Sequence, residues 1–234
     1  MNEELVIFNK PKSNISEDIR TIRTNLKFTS TDKESKVILV TSAIPGEGKS
    51  FISSNLGAAF AKTEELTLII DSDLRLGRIH KIFGVSNKTG LSNLLVEEDL
   101  SKIPYYVKKT EISNLYVIPR GTVPPNPSEL LNSKKNSRLI EILKKKFDIV
   151  ILDSAPLTGL SDSLILSSLV DKVLIVSSVN HTPKTELINA KKALENVGAN
   201  VAGIVINNVV GRRGSYGGYY YYYGYCTKIT FRPI

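Results

Sequence analysis

The stretch Ala43–Ser50 reads AIPGEGKS. It fits the phosphate-loop pattern G-x-x-x-x-G-K-S, except that Ala43 stands in the place of the first glycine. It lies between a strand-like apolar run and a helical pattern, the context this motif requires. Gly46 and Gly48 let backbone N–H groups converge on phosphate oxygens, and the helix N-terminus adds positive potential. Lys49 is placed to neutralise β- and γ-phosphates, and Ser50 to set its hydroxyl on Mg²⁺. Pro45, Glu47 and Phe51 complete the expected nucleotide-contacting stretch. Two further segments bring acids to the same chemistry. LIIDSDLR places Asp71 and Asp73 just beyond an apolar run, and VILDSAP does the same for Asp153. Ligands of open α/β sheets bind at the carboxyl edge of the strands. Three carboxylates beside a triphosphate suit Mg²⁺, which prefers hard oxygen ligands. One such Asp alone reads more readily as a strand-end acid capping the next element. Three of them beside a phosphate loop favour a metal–nucleotide site.

The second chemical signal is GSYGGYYYYYGY, residues 214–225, which holds seven of the ten tyrosines. Tyr216, Tyr219, Tyr220, Tyr221, Tyr222, Tyr223 and Tyr225 are the candidate phosphoacceptors. The same run has two other readings: a stacking surface for single-stranded nucleic acid helped by Arg212 and Arg213, or an aromatic low-complexity tail without chemistry.

Positioning these groups takes a framework. VILVTS (Val37–Ser42), LTLIID (Leu66–Asp71), LYVIP (Leu115–Pro119), DIVILD (Asp148–Asp153), KVLIVSS (Lys172–Ser178) and NVAGIVINN (Asn200–Asn208) read as strands. Helical patterns lie at about Ser16–Phe28, from the glycine loop through about Lys62, and at Lys135–Lys146, Ser161–Leu169 and Pro183–Val197. Ser128 is placed to cap a short helix carrying Leu130 and Leu131. Unbroken Val/Ile/Leu strands alternating with helices predict an α/β fold, a mainly parallel sheet covered by helices on both faces. Residues 1–15 read as an extended arm. The division expected is one phosphate-loop domain over residues 1–210, with its N-terminal helix, and a flexible tyrosine-rich tail over 211–234.

Bulk composition narrows the classes. The chain has 234 residues, 41% hydrophobic and 23% charged, enough for one sizeable domain. No run is long and apolar enough for a membrane span, and MNEELVIFNK does not read as a signal peptide. One cysteine, Cys226, excludes an internal disulfide and fits a reducing compartment. Two histidines and one thiol leave little for zinc. The net charge of +8 fits nucleic acid, anionic lipid or nucleotide phosphate as partner, or a plain solvated lysine-rich surface. No acid follows Glu195, whereas Arg212, Arg213, Lys228 and Arg232 do.

Taken together, PGEGKS, IIDSDLR, VILDSAP and the tyrosine cluster resemble the bacterial tyrosine kinase family (BY-kinases), encoded with capsule and exopolysaccharide genes. The resemblance covers roughly Ser16 to Tyr225. EDIRTIR adds Glu17, Arg20 and Arg23, the family's E-x-x-R-x-x-R pattern; on a helix these share one face. The resemblance implies an ATP-dependent P-loop NTPase fold similar to MinD/ParA ATPases. Those ATPases carry an early lysine in the loop where Ile44 stands here, which sets the chain apart from them. It implies that Ser50, Asp73 and Asp153 hold Mg²⁺ directly or through water, and that Asp71 is the candidate to take the phenolic proton. Arg75 is left between charge neutralisation and support of its loop. The Glu17/Arg20/Arg23 stripe implies self-association into a ring, in which one subunit phosphorylates the tyrosines of the next; the residue-level alternative is a solvated face with local ion pairs. Asn207 or Asn208 would read adenine, or serve as a strand-end turn residue. A transmembrane adaptor whose cytoplasmic end completes the site would hold the otherwise cytoplasmic chain, peripherally, at the inner membrane face. Protein tyrosines would be the substrates, and no nucleic acid is expected. The competing functions are a ParA/MinD-like ATPase switch without tyrosine phosphorylation and a nucleotide-binding module without catalysis. CTKITFRPI at the end has no sequence-level explanation.

Overall fold

A computed structural model describes residues 2–28, 36–210 and 227–233. The chain opens on a short helix α1 (Val6–Asn9) and a longer α2 (Asn14–Phe28). The alternating core follows: β1 (Val37–Ser42), α3 (Lys49–Ala61), β2 (Thr67–Asp71), α4 (Ile79–Phe83), α5 (Leu91–Val96), α6 (Ile103–Tyr106), β3 (Lys108–Lys109) and β4 (Leu115–Ile118). Then come α7 (Pro127–Leu131), α8 (Lys134–Lys146), β5 (Ile149–Asp153), α9 (Asp162–Ser167), β6 (Lys172–Ser178), α10 (Lys184–Asn196), β7 (Val201–Val210) and β8 (Thr227–Pro233).

The strands form one sheet in the order β3-β4-β2-β5-β1-β6-β7-β8. The inner pairs from β4 to β7 are parallel, and β3 and β8 close the two edges antiparallel. Successive side chains of the central strands enter two different cores in alternation, as their period of two requires. Ile38 and Val40, Ile69, Ile149 and Ile151, and Leu174 and Val176 face one core with Ile19, Ile22, Ile52, Leu56 and Phe60 from α2 and α3. Val37 and Leu39, Leu68 and Ile70, Val150 and Leu152, and Val173 and Ile175 face the other, with residues of α5, α8, α9 and α10. Strands buried on both faces are what produce the unbroken apolar runs read from the sequence.

Two expectations are corrected. Residues 1–15 are not a simple extended arm: α1 puts Ile7 into the core, and Ile7 N–H donates to Asn55 Oδ1 at 3.1 Å. The short β3 at one edge was not foreseen. The sheet also does not end at Asn208. β7 runs on to Val210, and β8, placed by the sequence reading in a flexible tail, pairs with it from Gly203↔Pro233 to Val210↔Thr227. Gly203 makes this possible, because a Cβ there would run into the ring of Phe231. The seven candidate acceptor tyrosines, Tyr216 to Tyr225, lie outside the described residues. Among the described residues no helix is long and apolar enough to cross a membrane.

Candidate active site

The site is built on the carboxyl edge of the three central strands. β2 and β5 are neighbours in register, with Asp71 opposite Asp153. β1 lies beside β5 and delivers the loop Ala43–Gly48 to the start of α3. Gly48 is the N-cap of α3 with φ +91°, a conformation costly for any side chain. It offers no capping side chain, so the first N–H groups of α3 are left to an anion. A Cβ at Gly48 would also collide with Nδ2 of Asn207. Gly48→Ala is therefore expected to cost about 1–3 kcal/mol in a thermal melt, and to remove binding of a fluorescent ATP analogue.

The loop is braced from beneath. Glu47 is wholly buried and accepts hydrogen bonds from Ile44 N–H and Ser178 N–H, each at 3.3 Å. Burial pushes its carboxyl upward, against the pull of those backbone donors. Its side chain thus supports the loop from inside, leaving the residue's contribution to a phosphate to its backbone. Asn207, at the carboxyl end of the last parallel strand, donates from Nδ2 to Glu47 O at 3.0 Å. Asn208 has φ +56° and donates from Nδ2 to Ser178 Oγ. Pro45 and Gly46 form the exposed lip, and Phe51 packs against the core behind it.

Lys49 and Ser50 open α3, and Ser50 Oγ donates to Asp153 Oδ2 at 2.7 Å. Ser53, one turn further on the same face, donates to Asp153 Oδ1 at 2.9 Å. Sequence reasoning passed over Ser53, although its i+3 spacing from Ser50 carries the signal. Burial raises the Asp153 carboxyl to about 6, and the charge of Asp73 adds to the rise; the Ser50 hydrogen bond, Lys49 and the Ser53 hydrogen bond oppose it. Asp71 is raised well above the usual range by burial first and by Asp153 second. Asp71 Oδ2 accepts from Ile79 N–H at 3.0 Å, while Oδ1 is buried without a partner. A Cβ at Gly77 would collide with that Oδ1, so the turn after β2 closes directly over it.

That turn is held by Asp73, whose Oδ1 accepts from Arg75 N–H at 3.2 Å and Leu76 N–H at 2.9 Å. Those two bonds engage one oxygen of the buried Asp73 carboxylate, Oδ1. Arg75 does not point at the loop. Its Nε donates to Asp162 Oδ2 at 2.9 Å, and its Nη2 to Ser128 Oγ at 3.2 Å. Ser128 thus serves this clasp, and the cap position of α7 belongs to Asn126.

Lys49, Ser50, Asp71, Asp73 and Asp153 therefore come to one edge of the sheet. Among the described residues no three His, Cys, Asp or Glu side chains gather closely enough to hold an ion unaided. The oxygens of Ser50, Asp153 and Asp73 fit a hard cation that completes its shell with water and phosphate. The Glu17/Arg20/Arg23 stripe lies elsewhere, on α2. Arg20 pairs with Glu17 and donates to Pro11 O, and Arg23 donates to Ala59 O at 2.8 Å.

Comparison with known proteins follows this geometry. Residues 35–200 match a family model described as an AAA domain. The tyrosine-protein kinase YwqD of Bacillus subtilis is 36% identical over 231 residues, covering 99% of this chain and 94% of YwqD. The kinase domain of the Escherichia coli tyrosine kinase ETK superposes with a TM-score of 0.85 at 33% identity, over 94% of this chain and 86% of that domain. The septum site-determining protein MinD of Pyrococcus horikoshii, at 22% identity and a TM-score of 0.60 over 72% of this chain and 68% of MinD, shares the fold.

Proposed function

The chain belongs to the bacterial tyrosine-protein kinase family, and from that premise we propose that it transfers the γ-phosphoryl group of Mg-ATP to the tyrosines at 216–225 of a neighbouring subunit. The observation that carries this reading is the Ser50–Asp153 hydrogen bond at 2.7 Å, which ties the phosphate loop to the acid of β5. β2, with Asp71 and Asp73, stands in register beside it. The likeness to kinases along nearly the whole chain favours this reading over an ATPase switch, as does Ile44 in place of the early lysine.

In the proposed mechanism the N–H groups of the loop and of α3 hold the β- and γ-phosphates, and Lys49 neutralises them. Ser50, Asp73 and Asp153 would hold Mg²⁺ directly or through water, and the cation would draw charge from the phosphate oxygens. Asp71 takes the phenolic proton. It is wholly buried with the Asp73–Gly77 turn over it, so reaching a phenol requires that turn to move. Phosphoryl transfer is loose, so positioning and charge neutralisation carry most of the barrier reduction. Asn207 holds the loop and is the candidate contact to adenine.

We place the chain in capsule or exopolysaccharide synthesis, held peripherally at the inner face of the cell membrane by a transmembrane adaptor. The adaptor's cytoplasmic end would activate it. The α2 stripe would join subunits into a ring, after its present intramolecular bonds are exchanged. Incubation with Mg-ATP and the adaptor's cytoplasmic segment, read by phosphotyrosine mass spectrometry, tests the reading. Changing Tyr216, Tyr219–Tyr223 and Tyr225 together to Phe is expected to remove at least ~90% of the phosphotyrosine and leave ATP binding unchanged, since positioning of the acceptor, not of the nucleotide, is lost. Phosphate confined to Ser or Thr would end the tyrosine-kinase assignment.

A further inference from the structure

Asp162 is the first residue of α9, and its side chain is wholly buried. A buried carboxylate is costly unless paired and hydrogen-bonded. Here it is both. Oδ2 takes Arg75 Nε at 2.9 Å; Oδ1 takes Ser128 Oγ at 2.5 Å and lies 3.4 Å from Arg75 Nη2. The two-pronged guanidinium contact fixes direction as well as charge. Three segments distant in sequence are joined this way: the turn after β2, α7 and α9. A fourth joins at the backbone, where Arg120 Nη1 donates to Arg75 O at 2.6 Å.

The turn so clasped carries Asp73, two residues before Arg75. Asp73 is bonded to the backbone of the same residue, its Oδ1 accepting from Arg75 N–H at 3.2 Å; the hydrogen bond and charge of Asp162, and after them the charge of Asp73, favour the charged guanidinium. Arg75 thus has two carboxylates within electrostatic reach, and its guanidinium is committed to Asp162. A guanidinium released from Asp162 would have Asp73 as its remaining acid, and would compete there with a cation.

We propose that Asp162 is a positioning residue of the metal site: by binding the Arg75 guanidinium it keeps Asp73 available to the divalent cation that accompanies the nucleotide. This rests on the Mg-nucleotide reading above. It assigns Arg75 neither to charge neutralisation at the phosphates nor to a passive loop, but to a clasp whose failure inhibits the site.

The test is Mg²⁺ titration of mant-ATP binding by fluorescence, with no turnover involved, on the full chain well below its melting temperature. Asp162→Asn, nearly isosteric, is expected to raise the Mg²⁺ concentration for half-maximal binding about tenfold, the scale typical of groups that orient metal ligands. Adding Arg75→Met to Asp162→Asn is expected to bring it back to within about threefold of wild type, because the competing charge is gone. A purely structural role predicts the opposite order, since the double variant loses more contacts. If Asp162→Asn does not fold, Arg75→Lys carries the test. It keeps the charge, cannot fork onto Asp162, and is expected to raise the requirement at least ~threefold. Wild-type Mg²⁺ dependence in Asp162→Asn, or in Arg75→Lys where that variant carries the test, or a double variant as weak as the single, overturns the proposal. A wild-type chain that binds mant-ATP regardless of Mg²⁺ overturns the functional reading along with it.

Discussion

Lys49→Met is expected to lower tyrosine phosphorylation by at least ~10²–10³-fold, the loss typical of one preorganised charge-stabilising group, while leaving the melting temperature within a few degrees. The two halves of this expectation have separate causes. Lys49 is the first residue of α3, half-exposed on the loop side, and no described residue donates to or accepts from its ammonium. Methionine keeps the straight chain and a similar helix propensity, so the fold loses little. What disappears is the positive charge that meets the β- and γ-phosphates as negative charge shifts between them. The measurement is phosphotyrosine formation with the adaptor segment present, beside a thermal melt. Tyrosine phosphorylation persisting at wild-type level in Lys49→Met would remove the phosphate loop from the chemistry.

Asp153→Asn is expected to act in two opposite directions. Phosphoryl transfer falls by about 10²–10³-fold, because the carboxylate that shares Ser50 with the proposed cation is gone. The ligand-free protein, in contrast, becomes more stable at pH 8. Asp153 is raised to about 6 by burial, with the charge of Asp73 adding to it. Its unfolded value lies near 3.9. The folded state therefore holds this proton more tightly than the unfolded state. Stability from this group is fully present below about pH 4 and is lost as pH rises through 6. The asparagine escapes that loss, which is at most about 3 kcal/mol at pH 8. Ser50 and Ser53 can turn their hydroxyls to an amide as to a carboxylate. Melts at pH 8 and pH 4 check the sign: the variant's advantage must shrink on acidification. A variant less stable than wild type at pH 8 would refute the account of Asp153 as a strained buried charge.

The gathering of Lys49, Ser50, Asp71, Asp73 and Asp153 at one sheet edge is legible in the sequence, for a physical reason. The strands ending in Ser42, Asp71 and Asp153 are buried on both faces, so their apolar runs are unbroken and their terminal polar residues stand out. Parallel pairing then brings every carboxyl end to one edge. What could not be read is which oxygen meets which donor. Asp71 reads as an accessible base, yet it is wholly buried with one oxygen on Ile79 N–H. Arg75 and Asp162 are 87 positions apart, and no local pattern joins them. Arg23 lies on a regular i, i+3 stripe, and its tie to Ala59 O depends on how α2 crosses α3. The strand β8 was hidden differently. Thr227–Pro233 carries no long apolar run, only a single-sided alternation through Ile229 and Phe231, and it follows low-complexity sequence. An edge strand covered on one side leaves no stronger trace.

β8 also alters what the tyrosine segment is able to reach. Val210 and Thr227 are partners across the sheet, so the two residues that bracket 211–226 stand side by side at one point of the sheet. A segment with both ends fixed so has no residue further from that point than half its contour, about 25–30 Å at ~3.4 Å per residue. A strand with a free end would have roughly double that range. If those tyrosines accept phosphate from a neighbouring subunit, as proposed, that subunit's phosphate loop has to come inside this radius at the moment of transfer.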